Sequence, residues 1–435
     1  MAGKSWLSRR RTLLIVFVLA LGVAYTASRS SAPKVDPAEA HRPSRLPDRI
    51  ILTWSGDPAT TQSVTWRTST DVTTATAQIA EAEDGPGFAK KAREIGVTST
   101  PFTSDLGDAL YHTAHFTGLT PRTLYAYRVG DGTNWSEWNQ FRTASDRPDP
   151  LTFIYGGDAQ NDVFSFWSRL IRTAYKTAPE THFILHAGDL INRANRDEEW
   201  GEWFRAPGWI NNSVASLAAP GNHEYDKGPD GRELSRHWRP QFAFPEHGPA
   251  GLEESCYSLD IQGVRVVVMN SNEKHEEQAE WLDGVLANNP NRWTVLSFHH
   301  PIFSAARNRD NKKLRETWKP VIDKYRVDLV LQGHDHTYAR SNLVTGVNTR
   351  DTGTVYVVSV MGPKMYRVER EPWMTRIAEQ TQLFQVIRVA GDSLRYEART
   401  ARGLLYDAFE LQKRPNRPNR LIDRVPPAPE RVQSE

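Results

Sequence analysis

The chain has 435 residues, 39% hydrophobic and 24% charged, a globular balance that excludes a disordered chain or a polytopic membrane protein. Its formal charge of +2 averages two unlike parts: residues 1–32 hold Lys4, Arg9, Arg10, Arg11 and Arg29 and no acid, so the remainder is net acidic and does not read as a nucleic-acid binder. A single cysteine, Cys256, excludes an intrachain disulfide and a thiolate cluster, leaving His, Asp, Asn and similar groups to hold any metal.

In chain order, residues 1–27 come first, a basic stretch followed by the apolar run Leu13–Ala24. That run is shorter than the roughly 20 residues of a spanning helix, and Gly22-Val23-Ala24 supplies a small-residue cleavage site, so the segment reads as a signal peptide. The same stretch, residues 12–26, serves equally as an uncleaved membrane anchor, and Ser8-Arg9-Arg10-Arg11-Thr12-Leu13-Leu14 resembles a twin-arginine export signal. Either way the protein is expected outside the cytoplasm, whether periplasmic, secreted or anchored.

Residues 28–47 are rich in Ser, Pro, Arg and Ala and read as a linker. From 48 to 145 the pattern is short strands: Val64 and Trp66 alternate on one face, and Leu124–Val129 ends at the turn Gly130-Asp131-Gly132. The spacing predicts a β-sandwich with these aromatics in its core. Thr117–Val129 resembles the strand-turn-strand signature of fibronectin type III domains.

A proline-rich hinge, Asp146–Pro150, precedes a change of pattern. Over 151–410, a strand at Leu151–Tyr155, a helical stretch from Phe164 to Tyr175 and a strand at His182–His186 form the unit of an α/β sheet. Further strands are predicted at Val214–Ala219, Val264–Met269, Trp293–Phe298, Val327–Leu331 and Thr354–Val360, with helices near Glu276–Leu286 and Lys312–Tyr325. Residues 411–435, with five prolines, read as a disordered tail.

Polar, metal-capable residues stand where these strands end. Asp158 and Asp189 follow the first two, Gly221-Asn222-His223-Glu224 the third, His299-His300-Pro301 the fifth, and Gly333-His334-Asp335-His336 the sixth. Alone, a Gly-Asp after a strand is an ordinary turn, and two histidines in a loop often do no more than meet solvent. Five such loops together are another matter, because open α/β sheets gather their sites at the carboxyl ends of strands.

The ordered set Gly-Asp, Gly-Asp, Gly-Asn-His-Glu, His-x-Pro, Gly-His-x-His resembles the calcineurin-like metallophosphoesterase superfamily over roughly Thr152 to Arg340. With the fibronectin-like segment in front, the chain is most similar to purple acid phosphatases and their bacterial relatives. The resemblance implies an α/β metallophosphoesterase sandwich of mixed sheets flanked by helices, preceded by an all-β fibronectin type III-like sandwich. It also implies two metal ions bridged by Asp189, one completed by Asp158 and His336, the other by Asn222, His299 and His334, with His223 facing the scissile phosphate.

The chemistry suits the residue types. Two cations about 3.5–4 Å apart activate a water and clamp developing charge. Imidazole ligands favour iron, zinc or manganese over magnesium or calcium. His223 is placed to protonate the leaving group or steady the transition state. Glu224 and Asp335 are expected to orient neighbouring imidazoles, or else to be solvated.

Two positions depart from the family pattern. Purple acid phosphatases carry a Tyr ligand three residues after the bridging Asp, where Asn192 stands here, and related enzymes place a His where this chain has Gln160. Each offers only an amide oxygen to a metal. Candidates for gripping a phosphate-ester substrate are Arg307, Arg309 and Tyr338, with Asn311, Arg340, Arg193 and Arg196 nearby, against the alternative that these are solvated charges. The sequence therefore points to a two-metal hydrolase of phosphate esters. It leaves open phosphodiesters against phosphomonoesters, and a degenerate, non-catalytic surface binding protein.

Overall fold

A computed structural model describes residues 35–228, 231–349 and 352–433, so the signal or anchor expectation for residues 1–27 lies outside the described residues. The chain divides into two units. In residues 1–40 the described part carries a short helix, Pro37–Ala40. The other unit is residues 41–435.

Eight antiparallel strands come first: β1 Asp48–Thr53, β2 Gln62–Thr68, β3 Thr76–Glu81, β4 Arg93–Ile95, β5 Val97–Ser104, β6 Gly107–Phe116, β7 Leu124–Gly130 and β8 Asn139–Arg142. They form two four-stranded sheets ordered β1-β2-β6-β5 and β4-β3-β7-β8. Alternation in β2 predicts one buried face, Val64 and Trp66. The structure buries all seven residues of that strand, because its other face lies against the α/β part. There Thr65 Oγ1 donates to the Gln241 carbonyl at 2.6 Å, and Arg67 with Arg49 brackets the Asp197 carboxylate at 3.3 and 2.7 Å. Breaking such a buried pair from one side leaves an uncompensated charge, which fixes the relative placement of the two parts more than it stabilises them.

The α/β part is two seven-stranded mixed sheets. The first runs β11-β10-β9-β23-β24-β25-β26, where β9 is Leu151–Gly156, β10 Phe183–Ala187, β11 Ala215–Ala219, β23 Leu383–Ala390, β24 Ser393–Thr400, β25 Leu405–Arg414 and β26 Arg417–Asp423. The second runs β14-β15-β16-β17-β21-β18-β22, where β14 is Tyr257–Ile261, β15 Val264–Val268, β16 Trp293–Phe298, β17 Leu329–Gln332, β18 Tyr338–Ser341, β21 Val355–Val358 and β22 Met374–Ala378. Two hairpins, β12 Tyr225–Gly228 with β13 Gly231–Leu234 and β19 Val344–Thr345 with β20 Asn348–Thr349, stand outside the sheets. One apolar core joins the inner faces, with Phe153, Leu185 and Val386 from one sheet and Val266, Leu329 and Val357 from the other. A second lies under the helices His275–Ala287 and Lys312–Tyr325, around Leu282, Leu296 and Trp318.

The expected tail is a correction. Leu405–Arg414 and Arg417–Asp423 pair antiparallel at the end of the first sheet, and Glu430 and Arg431 bond back to Arg370, Ile377 and Glu379. Pro418 falls in the edge strand, the place where a missing N–H is tolerated, so the prolines do not forbid pairing. The helical stretch after β9 is also divided, into a π turn at Val163–Trp167 and a helix at Ser168–Thr177.

Two buried histidines packed against tryptophan rings make stability pH-dependent. His186 in β10 lies between Trp167 and Trp203, and burial pushes it down to about 3. His237 stacks on Trp200, and burial pushes it down to about 4. The folded chain thus resists protons that the unfolded chain takes up below about 6.5, so this stability is present above that pH and lost as pH falls towards 4. The urea midpoint should fall across that window, on the order of 3 kcal/mol per ring at its lower end, and His186→Leu with His237→Leu should flatten the slope.

Candidate metal centre

Strands β9, β10 and β11 run parallel in one sheet and β15, β16, β17 and β21 in the other, so their carboxyl ends open at one edge. The backbone there is bent hard. Asp158, Asp189, His334 and His336 all take positive φ, at 53°, 52°, 74° and 48°, a conformation that L side chains adopt only when their surroundings hold it. Gly188 before Asp189 is required: it has φ +82°, and a Cβ there would stand 2.6 Å from the Gly221 nitrogen.

Two groups of donors result, each with ligand atoms within 4.8 Å of one another: Asp158, Asp189 and His336, and His299, His300 and His334. Asp189 links them, with its Oδ2 3.3 Å from His299 Nε2. Asn222 joins the second group through Oδ1, 3.0 Å from the same nitrogen. His300 is the member that sequence reasoning did not single out. Its ring lies 4.3 Å from that of His334, and its place beside His299 in His299-His300-Pro301 was the available signal.

The electrostatics suit a cation at this place. His299 Nδ1–H donates to the Ala187 carbonyl at 2.9 Å, which turns Nε2 inwards. Around that nitrogen stand Asn222 Oδ1 at 3.0 Å, His334 Nδ1 at 3.1 Å and Asp189 Oδ2 at 3.3 Å. One proton cannot serve so many lone pairs, whereas a cation can. His336 is set likewise, with Nδ1–H on the Lys364 carbonyl at 3.1 Å and Nε2 3.6 Å from Asp158 Oδ1.

With protons alone the group is badly matched. Burial pushes Asp158 up, and it also presses on His299, yet the neighbouring Asp189 carboxylate lifts that imidazole to about 9. Burial and the His299 charge drive His334 far below its ordinary value, and burial takes His336 to about 3. Neutral imidazoles beside a buried carboxylate pair are the donor set that borderline divalent ions accept, so the residues fit two metals.

Gln160 reaches into the first group: its Nε2 donates to Asp189 Oδ2 at 2.8 Å and lies 3.2 Å from His336 Nε2, while its buried Oε1 has no partner. A half-turn of the amide would present that oxygen between Asp189 and His336 instead. Asn192 enters through its main chain. Its carbonyl accepts His223 Nδ1–H at 2.6 Å, leaving His223 Nε2 on the Asp189 side, 4.0 Å from Oδ2.

Other expectations need correction. Tyr338 is fully buried away from the centre, donating to Asp407 at 2.6 Å, and Arg340 is paired with the same carboxylate at 2.7 Å. They stand two residues apart on β18 and so share one face, which is turned into the interior. Arg307 is exposed and brings no side-chain contact to the centre, whereas Arg309 donates to the His334 carbonyl at 2.9 Å and covers the Tyr366 ring. Glu224 and Asp335 hold main-chain loops, not imidazoles. Glu224 accepts from Asp189, Leu190 and Gly221 N–H, and Asp335 from Ala305 and Ala306. Burial, with Asp189 adding to it, pushes Glu224 up to about 7.

Two family models match the chain over ranges that include these loops. Residues 47–143 match the family model of the purple acid phosphatase N-terminal domain, and residues 129–338 that of the calcineurin-like phosphoesterases. An uncharacterized Mycobacterium tuberculosis protein, Rv2577, is 31% identical over 288 residues, spanning 55% of this chain and 52% of its own. Purple acid phosphatase 15 of Arabidopsis thaliana is 26% identical over 287 residues, spanning 57% of this chain and 53% of its own. The chain therefore spans about half the length of the curated relatives it matches. A purple acid phosphatase from yellow lupin seeds, PPD1, shares the fold with a TM-score of 0.73 at 19% identity, over 85% of this chain and 74% of that one.

Proposed function

We propose that the chain is a calcineurin-like phosphoesterase with the N-terminal domain of purple acid phosphatases in front, and that it hydrolyses phosphate esters at a two-metal centre. The observation that carries this reading is the place of Asp189, which shares one donor group with Asp158 and His336 and lies 3.3 Å from His299 of the other. Asp158, Asp189 and His336 would hold one ion, with Gln160 beside them. Asp189, Asn222, His299 and His334 would hold the second, drawn from iron, zinc or manganese. When bound, such a pair supplies the activated water and the charge neutralisation that phosphoester hydrolysis needs.

The rest falls to the chain. Glu224 ties the Asp189 loop to its own, accepting from the main-chain N–H groups of Asp189 and Leu190 on one side and Gly221 on the other, so the backbone that carries the shared carboxylate is held. His223, half-buried, has its Nδ1 proton committed to the Asn192 carbonyl and, as the imidazolium, gives the proton on Nε2 to the leaving oxygen. Arg309, at the rim, steadies the His334 loop. Export remains part of the proposal, supported by the sequence of residues 1–27.

Turnover of 4-nitrophenyl phosphate and of bis(4-nitrophenyl) phosphate by protein loaded in turn with zinc, manganese and iron tests the proposal. Metal-dependent release of nitrophenolate is expected, and the ratio of the two rates reports monoester against diester. No turnover of either ester with any metal would sink it. Asn192 carries a second expectation. Lacking a phenolate at that position, the iron-loaded protein should show no tyrosinate charge-transfer band, and a purple sample would place a Tyr on the metal.

A further inference from the structure

An opening lies beyond His223. It encloses about 820 Å³ and is walled by Asn192–Arg196 after β10, by Asn222 and His223, by the β12–β13 hairpin and by Asp105 in the turn between β5 and β6. Four arginines, Arg193, Arg196, Arg232 and Arg236, face two carboxylates, Asp105 and Asp226. The first two are engaged: Arg193 pairs with Glu199 at 2.7 Å, and Arg196 lies 3.6 Å from Asp105 and 3.7 Å from Glu198. Asp226 accepts from Asn195 Nδ2 at 3.2 Å. Arg232 and Arg236 have no carboxylate partner among the described residues. Arg232 is nevertheless fixed in place, donating to the Asn222 carbonyl at 2.5 Å with its guanidinium over the Tyr225 ring.

We propose that this cavity is a subsite for a second phosphoryl group, so that the favoured substrates are phosphate esters whose leaving group itself carries a phosphate. The inference rests on the hydrolase reading of the adjoining centre. His223 stands between the two, lining the cavity while its Nε2 faces Asp189, so whatever departs from the metals leaves past His223 into the cavity. Two guanidiniums without a carboxylate partner among the described residues match a dianion with three acceptor oxygens, which Arg binds through paired N–H groups. Asp105 belongs to the N-terminal sandwich: it caps the helix Asp197–Arg205 through the Asp197 N–H at 2.8 Å and holds Arg196 to the wall. The sandwich thus completes the substrate cavity.

The test compares kcat/KM for 1,4-phenylene bisphosphate and phenyl phosphate at low ionic strength. The bisphosphate should be preferred by about 10-fold or more, beyond the roughly twofold advantage of carrying two equivalent phosphates. In the Arg232→Gln/Arg236→Gln double variant the preference should fall to about twofold. Arg236→Gln alone, whose side chain bonds nothing among the described residues, should lose part of it. A wild-type ratio near two, or one unchanged in the double variant, overturns the proposal. Should neither ester be hydrolysed, the hydrolase reading fails on its own, and calorimetry still decides the subsite. Tighter binding of 1,4-phenylene bisphosphonate than of phenylphosphonate, lost in the double variant, supports it, and equal affinities refute it.

Discussion

Asp189→Ala is expected to leave both donor groups unable to hold their ions and to lower turnover well beyond the roughly 100-fold seen when an outer-shell partner of a metal ligand is removed. The reason is geometric. Among the described residues Asp189 is the carboxylate that joins the two groups, 3.3 Å from His299 Nε2 and in the same cluster as Asp158 and His336. The protein should nonetheless fold. Asp158 is already pushed up by burial, and without Asp189 the chief group that keeps the buried His299 ring charged is gone, so that ring goes neutral and no buried charge is stranded. A milder variant, Asp189→Asn, keeps an acceptor for the His223 N–H that now bonds Oδ1 at 2.9 Å. Elemental analysis of both variants, with circular dichroism to show that they are folded, checks the expectation. Metal content equal to wild type in Asp189→Ala would remove the shared-ligand role.

His223→Ala is expected to behave differently, keeping its metals and losing rate by about 10²–10⁴-fold, the range of a positioned general acid or base. None of the close contacts around His299 Nε2 comes from the His223 ring, and its nitrogen nearest the centre stands 4.0 Å from Asp189. The loss should be greater for alkyl phosphates, whose leaving groups need a proton, than for nitrophenyl phosphate, whose leaving group does not. Equal loss on both would leave His223 a steadying contact rather than an acid. Loss of the metals along with the rate would contradict its assigned role outright.

How far the site could be read in advance follows from where its information lies. Asp158, Asp189, Asn222, His299, His334 and His336 each come soon after a strand of an α/β sheet, and a parallel sheet delivers such positions to one edge whatever the loops do next. The order of the motifs was therefore enough to gather them. The orientation of Tyr338 and Arg340 was not legible, because it depends on Asp407, a partner in β25 that no local pattern announces. The last strand was hidden for the same reason. Its prolines argue for a tail only if pairing with Leu405–Arg414 is unknown. Glu224 looked like a partner for imidazoles, but three main-chain N–H groups lie closer to it once Gly188 and Gly221 have brought their loops together. Local chemistry was legible, and long-range pairing was not.

The most direct measurement is a titration of metal-stripped protein with zinc or manganese, following bound ions per chain and turnover of 4-nitrophenyl phosphate in the same samples. A two-metal phosphoesterase predicts binding that saturates at two ions, with activity rising only as the second is taken up. Full activity at one ion per chain, or turnover by the stripped protein, would contradict it.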